Sequence, residues 1–175
     1  MRSRSIDRPV VDGRHDFDFF IGRWRVSHHR LVERLNGSSD WQDFAGTAET
    51  RKILGGLGNM DENVLELPAG TYQAVTLRLF DPARAVWTIH WIDARMTQVD
   101  APMIGGFVDG AGEFFGDDSL NGQPIRVRFR WFIDDADHCR WEQAFSADDS
   151  ASWETNWTMA FERRRDAPPS DAPMV

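Results

Sequence analysis

The sequence predicts an all-β fold: one antiparallel up-and-down barrel, closed at one end by a short N-terminal helical plug. Three observations carry this reading. About ten segments alternate apolar and polar residues at period two, separated by short turn signals. No stretch has the length and period of a convincing long helix. Eight Trp and twelve Phe stand beside a single Tyr, and large flat side chains suit a barrel interior or a cavity wall. Consecutive hairpins favour a meander, and closing the meander removes its exposed edges.

The chain has 175 residues, which suits one domain. Residues 1–15 read as a loose leader that packs only near its end. Residues 16–165 form the barrel domain, and the Pro-rich tail, 166–175, reads as disordered. Phe17, Phe19 and Phe20 make too short a run for a stable isolated helix, so a helical or 3₁₀ turn across one end of the core is expected.

The first strand runs from Arg23 to Glu33, with Trp24, Val26, His28 and Arg30 on one face. Residues 35–40 contain Asn36-Gly37 and read as a hairpin turn. Trp41 to Ile53 is the second strand, with a bulge expected at Gly46. Residues 54–60 form a glycine-rich loop. They lack the following helix and the lysine of a phosphate cradle, so a barrel-mouth loop is expected.

A short strand follows over Asn63–Leu67. Tyr72–Phe80 and Val86–Ile92 are strands joined by the Asp81-Pro82 turn. Residues 95–103 are an irregular link. Ile104–Val108 and Glu113–Gly116 make a glycine-rich hairpin, and residues 117–123 a link holding the turn Asn121-Gly122. Gln123–Ile133, Arg140–Ser146 and Trp153–Arg163 close the series.

The phrases Asp18-Phe19-Phe20-Ile21-Gly22-Arg23-Trp24, Leu79-Phe80-Asp81-Pro82, Gly112-Glu113-Phe114-Phe115-Gly116-Asp117-Asp118 and Trp153-Glu154-Thr155-Asn156-Trp157 carry a resemblance. The layout resembles the calycin superfamily of lipocalins, fatty-acid-binding proteins and nitrobindin-like barrels. More specifically, it resembles an uncharacterised bacterial lipocalin-like family. The likeness runs from about Asp16 to Arg163 and implies a calycin-like barrel. It implies that Trp24 plugs one end, with Phe17, Phe20 and Gly22 around it. Arg163 or Arg164 would lie across the indole. Nitrobindin-like proteins place a haem-ligating His late in the barrel. The last His here is His138, in an expected turn, so haem is not carried over and the cofactor stays unknown.

Net charge is −8 with a pI near 5.0, which disfavours a nucleic-acid surface. One cysteine, Cys139, excludes an intrachain disulfide and fits a reducing compartment. Met-Arg-Ser-Arg-Ser lacks the apolar core of a signal peptide, and no membrane span is found. A soluble cytoplasmic protein is expected.

Candidate lumen residues are His28, Arg30, Glu49, Arg78, His90, Phe129, Trp131, Trp141 and Trp157. Strand parity puts His28 inward with Trp24 and leaves the face of His90 open. His28, His90 and Glu49 could meet as an acid–base or metal site, but no tight ligand spacing supports a metal. Arg126, Arg128 and Arg130 read as a solvent stripe paired to Glu142 and Glu154, while Arg30 and Arg78 are candidates for holding an anion. Trp87, Trp131, Trp141, Trp153 and Trp157 read as core.

Three functions are open on these residues. The first is binding of a small, mostly apolar ligand, with or without an acidic head group, inside the barrel. The second is a small-molecule enzyme, an isomerase, cyclase or hydrolase, using lumen His28, His90 and Glu49. The third is a homo-oligomer assembled through exposed aromatics.

Overall fold

The structure is a computed structural model and describes residues 12–96 and 98–165. Ten strands close into one antiparallel barrel: β1 Gly22–Leu31, β2 Trp41–Ile53, β3 Gly58–Leu67, β4 Gly70–Asp81, β5 Val86–Asp93, β6 Met103–Val108, β7 Ala111–Leu120, β8 Gln123–Ile133, β9 His138–Ser146 and β10 Glu154–Arg163. Each strand pairs with its neighbours in sequence, and β1 closes the ring on β10. The leader and tail expectations fall mainly on residues 1–11 and 166–175, outside the described residues. Residues 13–15 form a 3₁₀ turn, and Trp87 Nε1 donates to the Gly13 carbonyl at 3.0 Å.

Up-and-down order sends odd strands one way and even strands the other. The starts of odd strands therefore share one end with the plug. A second 3₁₀ turn, Asp18–Phe20, lies there. Phe17, Phe20 and Trp24 are almost wholly buried. Phe20 stacks on Trp24 with centroids 5.4 Å apart and meets Trp131 edge-on at 4.8 Å. Phe17 meets Trp87 edge-on at 5.1 Å. Aromatic pairs of this kind add about 0.5–1.5 kcal/mol beyond the area they bury.

Arg163 seals the plug. Its guanidinium lies 4.2 Å above the Trp24 ring and donates to the carbonyls of Ile21 at 2.7 Å and Phe19 at 2.5 Å. Gly22 sits at φ 128° with no room for a side chain, because a Cβ would stand 2.6 Å from Arg163 Nη1. Arg164 instead donates its backbone N–H to the Arg23 carbonyl.

Several sequence expectations are corrected. β2 pairs without a register break through Gly46, so there is no bulge. The glycine is there for close approach: a Cβ would sit 2.6 Å from the Val64 carbonyl and 2.8 Å from His28 Nε2. The glycine-rich run is a 3₁₀ turn, Leu54–Gly56. β3 then begins at Gly58, five residues earlier than expected. This turn joins the end of β2 to the start of β3, so it lies at the plug end and not at the mouth.

β7 also extends to Leu120, because Asp109-Gly110 and Asn121-Gly122 are both two-residue turns with positive φ at each position. In the 32–40 loop, Leu35 and Gly37 take the positive φ angles, and Asn36 does not. Trp153 precedes β10 and stands outside the wall, under Arg128 at 4.6 Å and against Phe115.

Candidate functional site

The end opposite the plug is the mouth, reached by the loops 32–40, 94–102, 121–122 and 147–153. Between mouth and plug lies a cavity of about 280 Å³, at the lower edge of the roughly 300–1,000 Å³ usual for ligand pockets. Period-two alternation builds its wall, since every second residue of each strand points in. β8 contributes Val127, Phe129 and Trp131, β9 Trp141 and Phe145, and β10 Trp157 and Met159. Ile89 and Trp91 of β5 and Met103 of β6 complete the apolar side. Trp157 meets Trp141 edge-on at 5.5 Å and Trp91 at 6.3 Å. Phe129 packs on Trp141 at 4.8 Å.

The floor above the plug is polar. Arg78 is buried, donating to Asn59 Oδ1 at 3.0 Å and to Asp61 Oδ2 at 3.2 Å. Its cation also lies 5.1–5.5 Å from the rings of Phe17, Phe20 and Trp131. Asp61 Oδ1 accepts the Thr76 backbone N–H at 3.1 Å. Arg78 is thus committed to the protein's own carboxylate, and it ties β4 to β3 beneath the lumen.

The mouth carries two further cations. Arg30 lies 5.1 Å from the Trp157 ring and 5.3 Å from Phe44. Arg34 reaches back from the 32–40 loop to the same cavity, over Phe145. Neither has a carboxylate within ion-pair distance among the described residues. Burial, and then Arg30, lower the pKa of Arg34. Tyr72 lines the same region. Arg95 stacks on its ring at 3.6 Å and pairs with Asp93 at 2.6 Å.

His28 points inward and is buried, but it stands behind the wall and not on it. It stacks on Phe44 at 4.4 Å and accepts the indole N–H of Trp157 on Nδ1 at 3.3 Å. An indole nitrogen only donates, so Nδ1 is unprotonated and the imidazole is neutral. Burial, then the Arg30 charge, pushes its pKa down to about 3.

His90 and Glu49 leave the lumen list. His90 points outward, because Trp87, Ile89, Trp91 and Asp93 take the inner face of β5. Glu49 is on the outside of β2, beside Arg23 at 3.2 Å. The three groups of the acid–base reading therefore lie on different sides of the wall.

Arg126 and Arg130 pair on the outer surface with Asp117 and Glu113, and Arg130 also comes within 3.8 Å of Glu142. Glu154 accepts the Leu35 N–H instead of an arginine. Cys139 is buried and points inward, and burial pushes its thiol up to about 12. It is an inert core group at neutral pH.

Sequence reasoning missed Arg34, Asp61, Tyr72, Asp93 and Asp100. Tyr72 was legible, because it shares parity with Arg78 along one strand. Arg34 was not, because a loop folds it back.

The outer wall carries ion pairs such as Arg25–Glu162 and Arg140–Asp134, where a lipid-facing barrel would carry an apolar band. No helix among the described residues is long and apolar enough to cross a membrane.

No protein-family description matches the chain, and no curated protein matches it. Solved structures do. The S-type phycobiliprotein lyase CPES from Guillardia theta superposes with a TM-score of 0.58 at 8% identity, over 86% of this chain and 92% of that one. Rv2717c from M. tuberculosis superposes with a TM-score of 0.57 at 9% identity, over 90% of this chain and 99% of that one. At such identities the likeness concerns the fold alone: this chain is a ten-stranded antiparallel barrel of the calycin-like type.

Proposed function

We propose that this barrel binds one small, mostly apolar molecule with an acidic head group. The observation that carries the reading is the pairing of an aromatic lumen with two arginines at its mouth, Arg30 and Arg34, that have no carboxylate partner among the described residues. The Trp and Phe wall supplies burial, worth about 25 cal/mol per Å² of apolar surface. The guanidiniums supply a fixed fork for an anion. We read the chain as a member of the bacterial lipocalin-like family that its motifs resemble, and as a cytoplasmic binder. Its acidic character and charged outer wall support a soluble setting without nucleic-acid partners.

The test has two stages. Native mass spectrometry of the purified protein, followed by a denatured spectrum, weighs any retained molecule. Calorimetric titration with straight-chain carboxylic acids and alcohols of equal length follows. The acid is expected to bind more tightly than the alcohol. Replacing Arg30→Gln and Arg34→Gln together should weaken the acid by about tenfold to a hundredfold and leave the alcohol unchanged. A bare native mass combined with no saturable binding of any acid refutes the reading.

A further inference from the structure

The rim of the cavity is electrically two-sided. The arginine side is set by Arg30 at the end of β1 and Arg34 in the loop that follows. In a ring of ten strands in sequence order, β6 is the fifth strand from β1 in either direction. The residues flanking β6 at the mouth therefore face Arg30 and Arg34 across the full width of the lumen. Those residues are Asp100, in the loop before β6, and Asp118, on β7, and both line the same cavity.

Neither carboxylate has a basic partner among the described residues, whereas neighbouring Asp93 is held by Arg95 at 2.6 Å and Asp117 by Arg126 at 2.7 Å. Among the described residues, Asp118 accepts a hydrogen bond from the Ser119 backbone N–H. The Asp118 charge stands close enough to oppose the ionisation of Asp100. Burial first, then Asp118 and Asp93, holds the Asp100 carboxyl above its ordinary range. A cation placed between them removes that repulsion.

An indole lines the same cavity. The Asp100 N–H donates to the Trp91 carbonyl at 3.1 Å, and the Trp91 side chain lines the cavity next to Trp157 and Trp141. Carboxylates that line one cavity together with indoles offer an ammonium group both charge and aromatic faces.

We propose that the ligand is bipolar, with an anionic head on Arg30 and Arg34, an ammonium at Asp100, Asp118 and Trp91, and an apolar body between them. This rests on the binding reading above and names the ligand's second end. Because the two sides are a lumen width apart, the charges must sit at opposite ends of the molecule. An α-amino acid, with its two charges on one carbon, cannot span them. An ω-amino acid or a molecule of that shape can.

The test titrates the protein calorimetrically with ω-amino acids of increasing chain length, each beside the plain carboxylic acid of equal length. At the matching length, the ω-amino acid is expected to bind about tenfold more tightly than its plain counterpart. Asp100→Asn with Asp118→Asn should abolish that gain and leave the plain acid unchanged. Neither side chain belongs to the buried core, so the double variant should keep its melting temperature. If plain acids bind and the ammonium adds nothing at any length, the bipolar assignment is overturned while the binding reading stands. If neither series binds, both fall.

Discussion

His28 should make this barrel sensitive to acid. The residue is 5% exposed, accepts the Trp157 N–H and stacks on Phe44. Protonating Nδ1 removes the acceptor and places a cation beside Arg30. Its folded pKa, about 3, lies below the ordinary value near 6.5. Between these two values the unfolded chain binds the extra proton, so stability falls as pH falls. The contribution of neutral His28 is complete above about pH 6.5 and disappears as pH approaches 3. From pH 8 to pH 4.5 the loss works out at roughly 2–3 kcal/mol, a large part of the ~5–15 kcal/mol available to a domain.

The assay is urea unfolding followed by tryptophan fluorescence at both pH values, on the wild type and on His28→Asn. The Asn carbonyl can stand where Nδ1 stood and does not titrate. The variant should be less stable at pH 8, having lost its stacking on Phe44. Between the two pH values, however, it should lose roughly 2–3 kcal/mol less than the wild type. Carboxylate titration is common to both proteins and cancels in this difference. Equal losses in the two proteins would refute the argument.

Two further perturbations probe the plug and the floor. Arg163→Lys keeps the charge but loses the planar fork that reaches the Ile21 and Phe19 carbonyls. It should cost about 1–3 kcal/mol in the same unfolding assay. Arg78→Leu should cost about 3–5 kcal/mol by leaving Asp61 buried and unpaired, and adding Asp61→Leu should recover much of it. A double variant no more stable than the single one would show that the pair contributes more than mutual neutralisation.

Much of the barrel was legible because its cues are local. Gly22-Arg23-Trp24 marked the plug, since Gly22 must leave room for Arg163 and Trp24 must face inward. Parity from Trp24 placed His28 and Arg30 on the inner face. The same counting along β2, where Phe44, Gly46 and Ala48 face in, would have sent Glu49 outward. His90 was different. Both faces of Val86–Asp93 carry apolar residues, so only the ring on its two sides decided that Trp91 faces in.

What the sequence determined alone is the order of the strands, the Asn121-Gly122 turn and the aromatic plug. These depend on period, backbone freedom and side-chain size within a few residues. What only the tertiary structure decided is which end is the mouth and which charges remain unpaired there. Arg78 and Arg30 look alike along the chain. One meets Asp61 from the neighbouring strand and becomes structural, while the other finds no carboxylate among the described residues. That difference arises from ring closure, which sets a side chain's partners by strand order and register, and no stretch of sequence contains it.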